Sequence, residues 1–286
     1  MKIELKLIFI LCLSPLFVNA QTDVITKKQS ITVPKINYKV LEDSEPWKDT
    51  EDWTEVKTVS VDANGIPEDA IVLFSGNNLD AWQSPQLPSP ANMEQAEVIS
   101  PALTSDYIGQ ATKWEIVDQA MRNAPKSGSV ASKQSFGSVQ MHIEWLAPKA
   151  EHVTGQDYSN SGIFFMGLYE VQVLNSYKNP TYSNGQASSV YKQNRPLVNA
   201  SKPTDVWQTY DIVFIAPTFD TNQKLISPAY LTVFHNGVLV QNHFELQGPT
   251  LFIGESDYVY HQEKLPLVLQ NHGLPVLYRN IWLREL

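Results

Sequence analysis

From Ile71 onward, short apolar runs recur along the chain, each closed by Gly, Asn, Pro or Ser, and they alternate with polar residues instead of repeating at helical spacing. Ile71-Val-Leu-Phe74 stops at Ser75-Gly76-Asn77. Val139 to Trp145 places Met141, Ile143 and Trp145 on one face and Gln140, His142 and Glu144 on the other. Leu168 to Leu174 likewise separates Tyr169, Val171 and Val173 from Glu170 and Gln172. Further strands are predicted over Tyr210 to Phe214, Tyr230 to Phe234, Val238 to Gln241, Pro266 to Gln270 and Leu277 to Leu283. Asn236-Gly237 is the strongest hairpin signal, because both central residues of a type I′ turn take positive φ. Pro85 to Ser105, rich in Pro and Ser, reads as a long loop. With no long amphipathic helix and no internal repeat, the pattern predicts an all-β sandwich or barrel.

The first twenty residues differ from this. Lys2 and Lys6 precede an apolar run, Leu7 to Leu13, and Val18-Asn19-Ala20 precedes Gln21, the layout of a cleaved secretory signal over 1–20. The expected location is periplasmic or extracellular. No stretch approaches the roughly 18 apolar residues of a membrane-spanning helix. Residues 21–70 are polar and aperiodic and read as an N-terminal arm or linker; 71–286 is the expected domain.

Cys12 is the single cysteine and lies inside the signal, so thiol chemistry and disulfides are excluded from the mature chain. The formal net charge is −9. Removing Lys2, Glu4 and Lys6 leaves −10, which argues against nucleic acid or anionic membranes as partners.

Glu144 and Glu170 each interrupt an apolar alternation with a carboxylate. If their strands are neighbours in one curved sheet, Glu144, Glu170, Gln172 and His142 line its concave side; periodicity alone favours the other reading, solvent-facing residues of a half-exposed sheet. Sugar-cleaving sandwiches of the laminarinase type carry two acids on one strand as Glu-x-Asp-x-x-Glu. Here the run is Glu170-Val-Gln172-Val-Leu-Asn175, with one acid, which disfavours a retaining two-carboxylate mechanism. His272, in Leu269-Gln270-Asn271-His272-Gly273, falls at a strand end where an imidazole is able to titrate, and Arg279 follows on the next strand. Asp157-Tyr-Ser-Asn160-Ser161-Gly162 offers the small polar residues of a sugar-binding turn and equally of an ordinary one. Trp114, Tyr177, Tyr191 and Trp207 are candidates for stacking on sugar rings, or for the core.

Several segments together carry a resemblance: Leu73-Phe-Ser-Gly-Asn-Asn-Leu-Asp-Ala-Trp82, Asn160-Ser-Gly-Ile163, Gly167-Leu-Tyr-Glu-Val-Gln-Val-Leu174, Val198-Asn-Ala-Ser201, Trp207-Gln-Thr-Tyr-Asp211, His235-Asn-Gly-Val-Leu-Val240 and Tyr278-Arg-Asn-Ile-Trp282. In this order, from about Ile71 to Leu286, the chain resembles the 3-keto-disaccharide hydrolase family. The resemblance implies a concanavalin-like jelly-roll sandwich of two antiparallel sheets. It also implies a glycoside substrate whose C3 hydroxyl has been oxidised to a ketone by a partner sugar 3-oxidoreductase. The ketone acidifies the C2 proton; a base removes it, and the enolate expels the C1 substituent. Such chemistry needs one positioned base and one enolate stabiliser.

Carried onto this chain, the resemblance implies catalytic Glu170, with Glu144 as partner and His272 as acid or enolate stabiliser. Asn160, Gln172, Gln270 and Arg279 are implied in substrate binding, to which the stacking candidates Tyr191 and Trp207 are added from their residue type. A divalent metal held by Glu144, Glu170 and His272 is a candidate cofactor. The chain departs from the family pattern at Asn175 and Asn271, where relatives usually carry acids, which would weaken any role of those acids in holding a cation or tuning His272. A non-catalytic carbohydrate-binding module of the same sandwich is the alternative function.

Overall fold

The computed structural model describes residues 51–85, 111–124 and 126–286. The signal, the arm up to residue 50 and nearly all of the Pro85 to Ser105 loop lie outside the described residues. Thr58–Leu286 forms one compact unit.

Its strands are β1 (Ile71–Phe74), β2 (Trp82–Gln83), β3 (Glu115–Val117), β4 (Ala120–Arg122), β5 (Val130–Phe136), β6 (Val139–Leu146), β7 (Ser161–Phe165), β8 (Tyr169–Val173), β9 (Gln208–Ile215), β10 (Thr218–Phe219), β11 (Leu225–Ser227), β12 (Tyr230–His235), β13 (Val238–Glu245), β14 (Leu265–Leu269) and β15 (Leu277–Glu285). One sheet runs β13-β12-β9-β6-β15-β4-β3 with β1 also on β15; the other runs β2-β5-β14-β7-β8; β10 and β11 form a separate ribbon. The pairings are antiparallel throughout. The protein is the concanavalin-like jelly-roll sandwich that the resemblance implies.

The core forms where the alternations require it. Met141, Ile143 and Trp145 of β6 and Tyr210, Ile212 and Phe214 of β9 face Ile163 and Phe165 of β7 and Tyr169, Val171 and Val173 of β8 in one buried cluster. Phe165 stacks on Phe214 with centroids 4.9 Å apart, joining the two sheets. Tyr210 donates its hydroxyl to the Gln172 carbonyl at 2.9 Å across the same gap. Asn236 and Gly237 take φ of 53° and 79° and close the β12–β13 hairpin between His235 and Val238, as predicted.

Seven of the fifteen described strands, β2, β3, β4, β5, β7, β10 and β11, were not legible in the alternation. The β3–β4 hairpin turns on Asp118 and Gln119, at φ 50° and 60°, without an Asn-Gly pair to signal it. β5, Val-Ala-Ser-Lys-Gln-Ser-Phe, contains a fully buried Ser132 whose hydroxyl accepts from Leu267 N at 2.9 Å. In β7, Ser161 and Gly162, which read as part of a turn, are the first two residues of a strand.

Candidate active site

β8 is an edge strand, and loops fasten to its free backbone groups. Glu170 N donates to Thr250 Oγ1 at 3.0 Å, Gln172 N donates to Ser189 O at 3.0 Å, and Ser188 N donates back to Gln172 O at 2.9 Å. These attachments raise walls over the outer face of the five-stranded sheet and enclose a pocket of ≈ 650 Å³. Its floor and one wall carry Asn160, Glu170, Gln172, Gln270 and His272; Gln156, Asp157, Phe164, Tyr182, Tyr191, Lys192, Thr250 and Phe252 complete the lining. The volume suits a small polar ligand.

Glu170 is the central group. The alternation that made it a polar-face residue left it open to solvent, whereas in the fold it is 4 % exposed, because the loops cover that face. Burial pushes its carboxyl from an ordinary 4.5 up to about 8. The carboxyl lies directly against Gly162 on the neighbouring strand. A Cβ on Gly162 would sit 2.3 Å from Glu170 Oε1 and 2.6 Å from Phe164 Cε2, so glycine is required here for close approach and not for a turn. Gln172 supports the same group. With its amide nitrogen toward Glu170 it donates to Oε1 at 2.9 Å and to the Ser161 carbonyl at 3.1 Å, and the reversed amide would set oxygen against both acceptors.

The rest of the polar wall is held from behind. Asn160 Nδ2 donates to the Gln156 carbonyl at 2.8 Å. Gln270 N donates to the Gly162 carbonyl at 2.9 Å, and Ser161 Oγ donates to the Gln270 carbonyl at 2.5 Å. The next residue, Asn271, anchors the loop: its amide nitrogen donates to Ala124 O and Ser127 Oγ, both at 3.0 Å, and its oxygen accepts from Asn123 at 2.6 Å. An amide therefore belongs at this position, since a carboxylate would face the Ala124 carbonyl. His272 emerges from that anchored loop, exposed, at the pocket. Asn175 is likewise structural, bonded through Nδ2 to Thr204 Oγ1 at 2.9 Å.

Loop residues supply an aromatic part of the lining. Tyr182 and Tyr191 share a hydroxyl contact of 2.7 Å, and Phe252, 69 % exposed, stands at the opening. Burial, the contact with Tyr182 and the negative charge of Glu170 all push the Tyr191 phenol above its ordinary value. Tyr182, Lys192, Phe164, Gln156 and Phe252 were missed by sequence reasoning, because all but Phe164 belong to loops whose approach to β8 no periodicity encodes.

Three expected site residues lie elsewhere. β6 and β15 pair with each other in the eight-stranded sheet, so Glu144, Arg279 and Trp207 gather on that sheet's outer face, and the core separates them from Glu170. Arg279 Nε donates to Glu144 Oε2 at 2.7 Å, Asn280 Nδ2 donates to Oε1 at 3.1 Å, and the Arg279 guanidinium lies 4.0 Å above the Trp207 ring. Burial alone would raise the Glu144 carboxyl. The hydrogen bonds from Arg279 and Asn280, with the charges of Arg279 and His142, outweigh it and hold the group below the usual carboxylate value. This is a closed structural pair. Trp114 is a core residue, 4 % exposed, stacked on Tyr278.

The same separation removes the expected metal centre. Glu144, Glu170 and His272 do not converge, and among the described residues no group of three or more His, Cys, Asp or Glu side chains is placed to hold a metal ion. The donor set does not fit the divalent metal expected there.

Residues 69–284 match the 3-keto-alpha-glucoside-1,2-lyase-like domain. A candidate glycosyl hydrolase of known structure from Parabacteroides distasonis is 37% identical, with a TM-score of 0.71 over 89% of this chain and 100% of its own. A second candidate glycosyl hydrolase from the same organism shares the fold at 14% identity and TM-score 0.51, covering 77% of this chain and 94% of its own. A search of curated proteins returned no match. The chain belongs to the 3-keto-alpha-glucoside-1,2-lyase-like family, the 3-keto-disaccharide hydrolases of the sequence resemblance.

Proposed function

We propose that this family member is a secreted carbohydrate-active enzyme that cleaves the glycosidic bond of 3-keto-glycosides by abstracting the C2 proton and eliminating the C1 substituent. The observation that carries the reading is Glu170: one buried carboxyl on the floor of a sugar-sized pocket, raised to about 8, with Gly162 clearing the space beside it. A base of that strength suits a carbon acid next to a ketone better than an ordinary carboxylate would.

The C2–H bond breaks and the proton passes to the Glu170 carboxylate, while the bonding pair forms the C2–C3 double bond and leaves negative charge on the C3 oxygen. Collapse of that enolate restores the C3 carbonyl, forms a C1–C2 double bond and breaks the bond from C1 to its oxygen substituent. His272, at the pocket opening, is the acid that gives the departing oxygen its proton. Water added across the new double bond returns a 3-keto sugar, so that the overall change is hydrolysis. Gln172 holds the Glu170 carboxyl in position. Asn160 and Gln270 present polar groups to the sugar hydroxyls, and Tyr191, with Tyr182 and Phe252, supplies faces for stacking. The ketone must be installed beforehand by an oxidoreductase acting on the sugar at C3. A signal over residues 1–20 would place the cleavage step outside the cytoplasm.

The test incubates purified protein, with and without EDTA, with chromogenic α- and β-3-keto-glucosides and their unoxidised parents, following aglycone release. Release from the keto compounds alone supports elimination, and EDTA sensitivity would reopen the question of a metal. Release from the unoxidised parents would point instead to direct displacement using Glu170 with the rim carboxylate Asp157. Release from neither would favour the binding-module alternative.

A further inference from the structure

An elimination through an enolate needs a stabiliser for the oxygen that takes up the negative charge; His272 is already engaged as the acid for the leaving group, and Arg279 is held by Glu144 on the other sheet. Among the described residues lining the pocket, Lys192 is the one with a fixed positive charge.

Its position is built from the backbone up. A Cβ on Gly185 would lie 2.1 Å from Tyr182 Cε2, so the glycine lets the Tyr182 ring settle against the chain. The hydroxyl of that ring meets Tyr191 at 2.7 Å, which fixes the ring plane. Lys192 Nζ lies 4.3 Å from the Tyr182 centroid, 5.6 Å from Phe252 and 5.7 Å from Tyr191. The Lys192 backbone is clamped from both sides: its N–H donates to the Asn184 carbonyl at 2.9 Å, and Asn184 Nδ2 donates to the Lys192 carbonyl at 3.1 Å. Lys192 takes φ 64°, a left-handed conformation that an L side chain adopts at a cost, so the fold holds strain at this position.

Aromatic faces orient an ammonium without neutralising it. Nor is the charge taken up by a carboxylate, since no ion pair among the described residues includes Lys192. A charge that is positioned yet unspent remains available for an anion that forms only during the reaction.

Building on the elimination reading above, we propose that Lys192 is a catalytic residue, the cation that meets the C3 oxygen as it becomes an enolate while the C2 proton passes to Glu170.

The experiment compares the full chain with Lys192→Met, Lys192→Gln and Lys192→Arg, with Lys224→Met in the exposed β10–β11 turn as the charge-removal control. It measures kcat and KM on a chromogenic 3-keto-glucoside across pH 6 to 9, and the exchange of the C2 proton of 3-keto-glucose for deuterium by NMR. Melting curves verify folding. Loss of one oxyanion partner typically lowers kcat by about 10²- to 10³-fold. The expected result is a loss of that order in K192M and K192Q in both kcat and exchange, KM within a few-fold, an unchanged pH midpoint, partial recovery in K192R and wild-type behaviour in K224M. Retention of kcat and exchange in a folded K192M, or a change confined to KM, overturns the assignment of Lys192 while leaving the elimination in place. Absence of both release and exchange in the wild type overturns the elimination reading itself, and the role of Lys192 with it.

Discussion

Replacing Glu170 with Gln removes an ionisable group that the fold holds against its solvation, so the variant should be inactive and more stable, and the gain should grow with pH. The folded carboxyl sits near 8 against an ordinary 4.5. Between those values the folded state binds the proton that the unfolded chain has released, so wild-type stability falls as pH rises from about 4.5 and levels off above about 8. At about 1.36 kcal/mol per pH unit, the penalty is on the order of 3 kcal/mol at pH 7 and about 5 kcal/mol at pH 9, and small at pH 5. The uncharged amide introduced by Glu170→Gln carries no such penalty, and it fits the same space beside Gly162. For a domain of this size, about 3 kcal/mol corresponds to roughly 10 °C in melting temperature. The assay is thermal unfolding of both proteins at half-unit steps from pH 5 to 9, with turnover measured alongside. Curves that converge near pH 5 and separate toward pH 9 support the buried, uncompensated carboxyl. Melting temperatures that run parallel across the range would refute it, since the proton linkage would then be absent.

Turnover of 3-keto-glycosides by the wild type should rise with pH to a midpoint near 8, since the base works deprotonated; an activity that falls through that midpoint would make Glu170 an acid. Gly162→Ala should lower turnover at least ~10-fold and cost about 1–3 kcal/mol, because its Cβ would meet the Glu170 carboxyl at 2.3 Å; kinetics and denaturant melts read the two effects separately. Glu144→Gln should leave kcat within about two-fold and change stability by about 1 kcal/mol, as suits a partly exposed ion pair on the far sheet, and a large kinetic loss there would contradict the separation of the two faces. Asn271→Asp should destabilise by about 1–3 kcal/mol by setting a carboxylate against the Ala124 carbonyl, visible as a lower melting temperature at neutral pH.

Fold class and much of the site follow from the chain read as a line of residues. Its two-residue alternation, with turn residues between runs, placed Met141, Ile143 and Trp145 in the core and Glu170 with Gln172 on the other side of β8, because a strand leaves no freedom in which side chains share a face. Asn236-Gly237 predicted its hairpin for the equally local reason that a type I′ turn requires positive φ. Asn160, Glu170, Gln172, Gln270 and His272, carried over by resemblance, line one pocket together with the stacking candidate Tyr191. The assembled sandwich settles what local pattern has no means to express. Which strands pair is a contact between residues far apart in the chain, so alternation alone could not show that β6 belongs to one sheet and β8 to the other, and Glu144 with Arg279 was assigned to the wrong face. Burial of a polar strand face depends on which loops cross it: Thr250, Ser189 and the Tyr182–Lys192 segment close over β8 and turn a solvent-facing glutamate into a buried base. Gly162 read as a turn residue because the reason for its missing side chain, the carboxyl of Glu170 on the adjacent strand, exists only once the two strands have met.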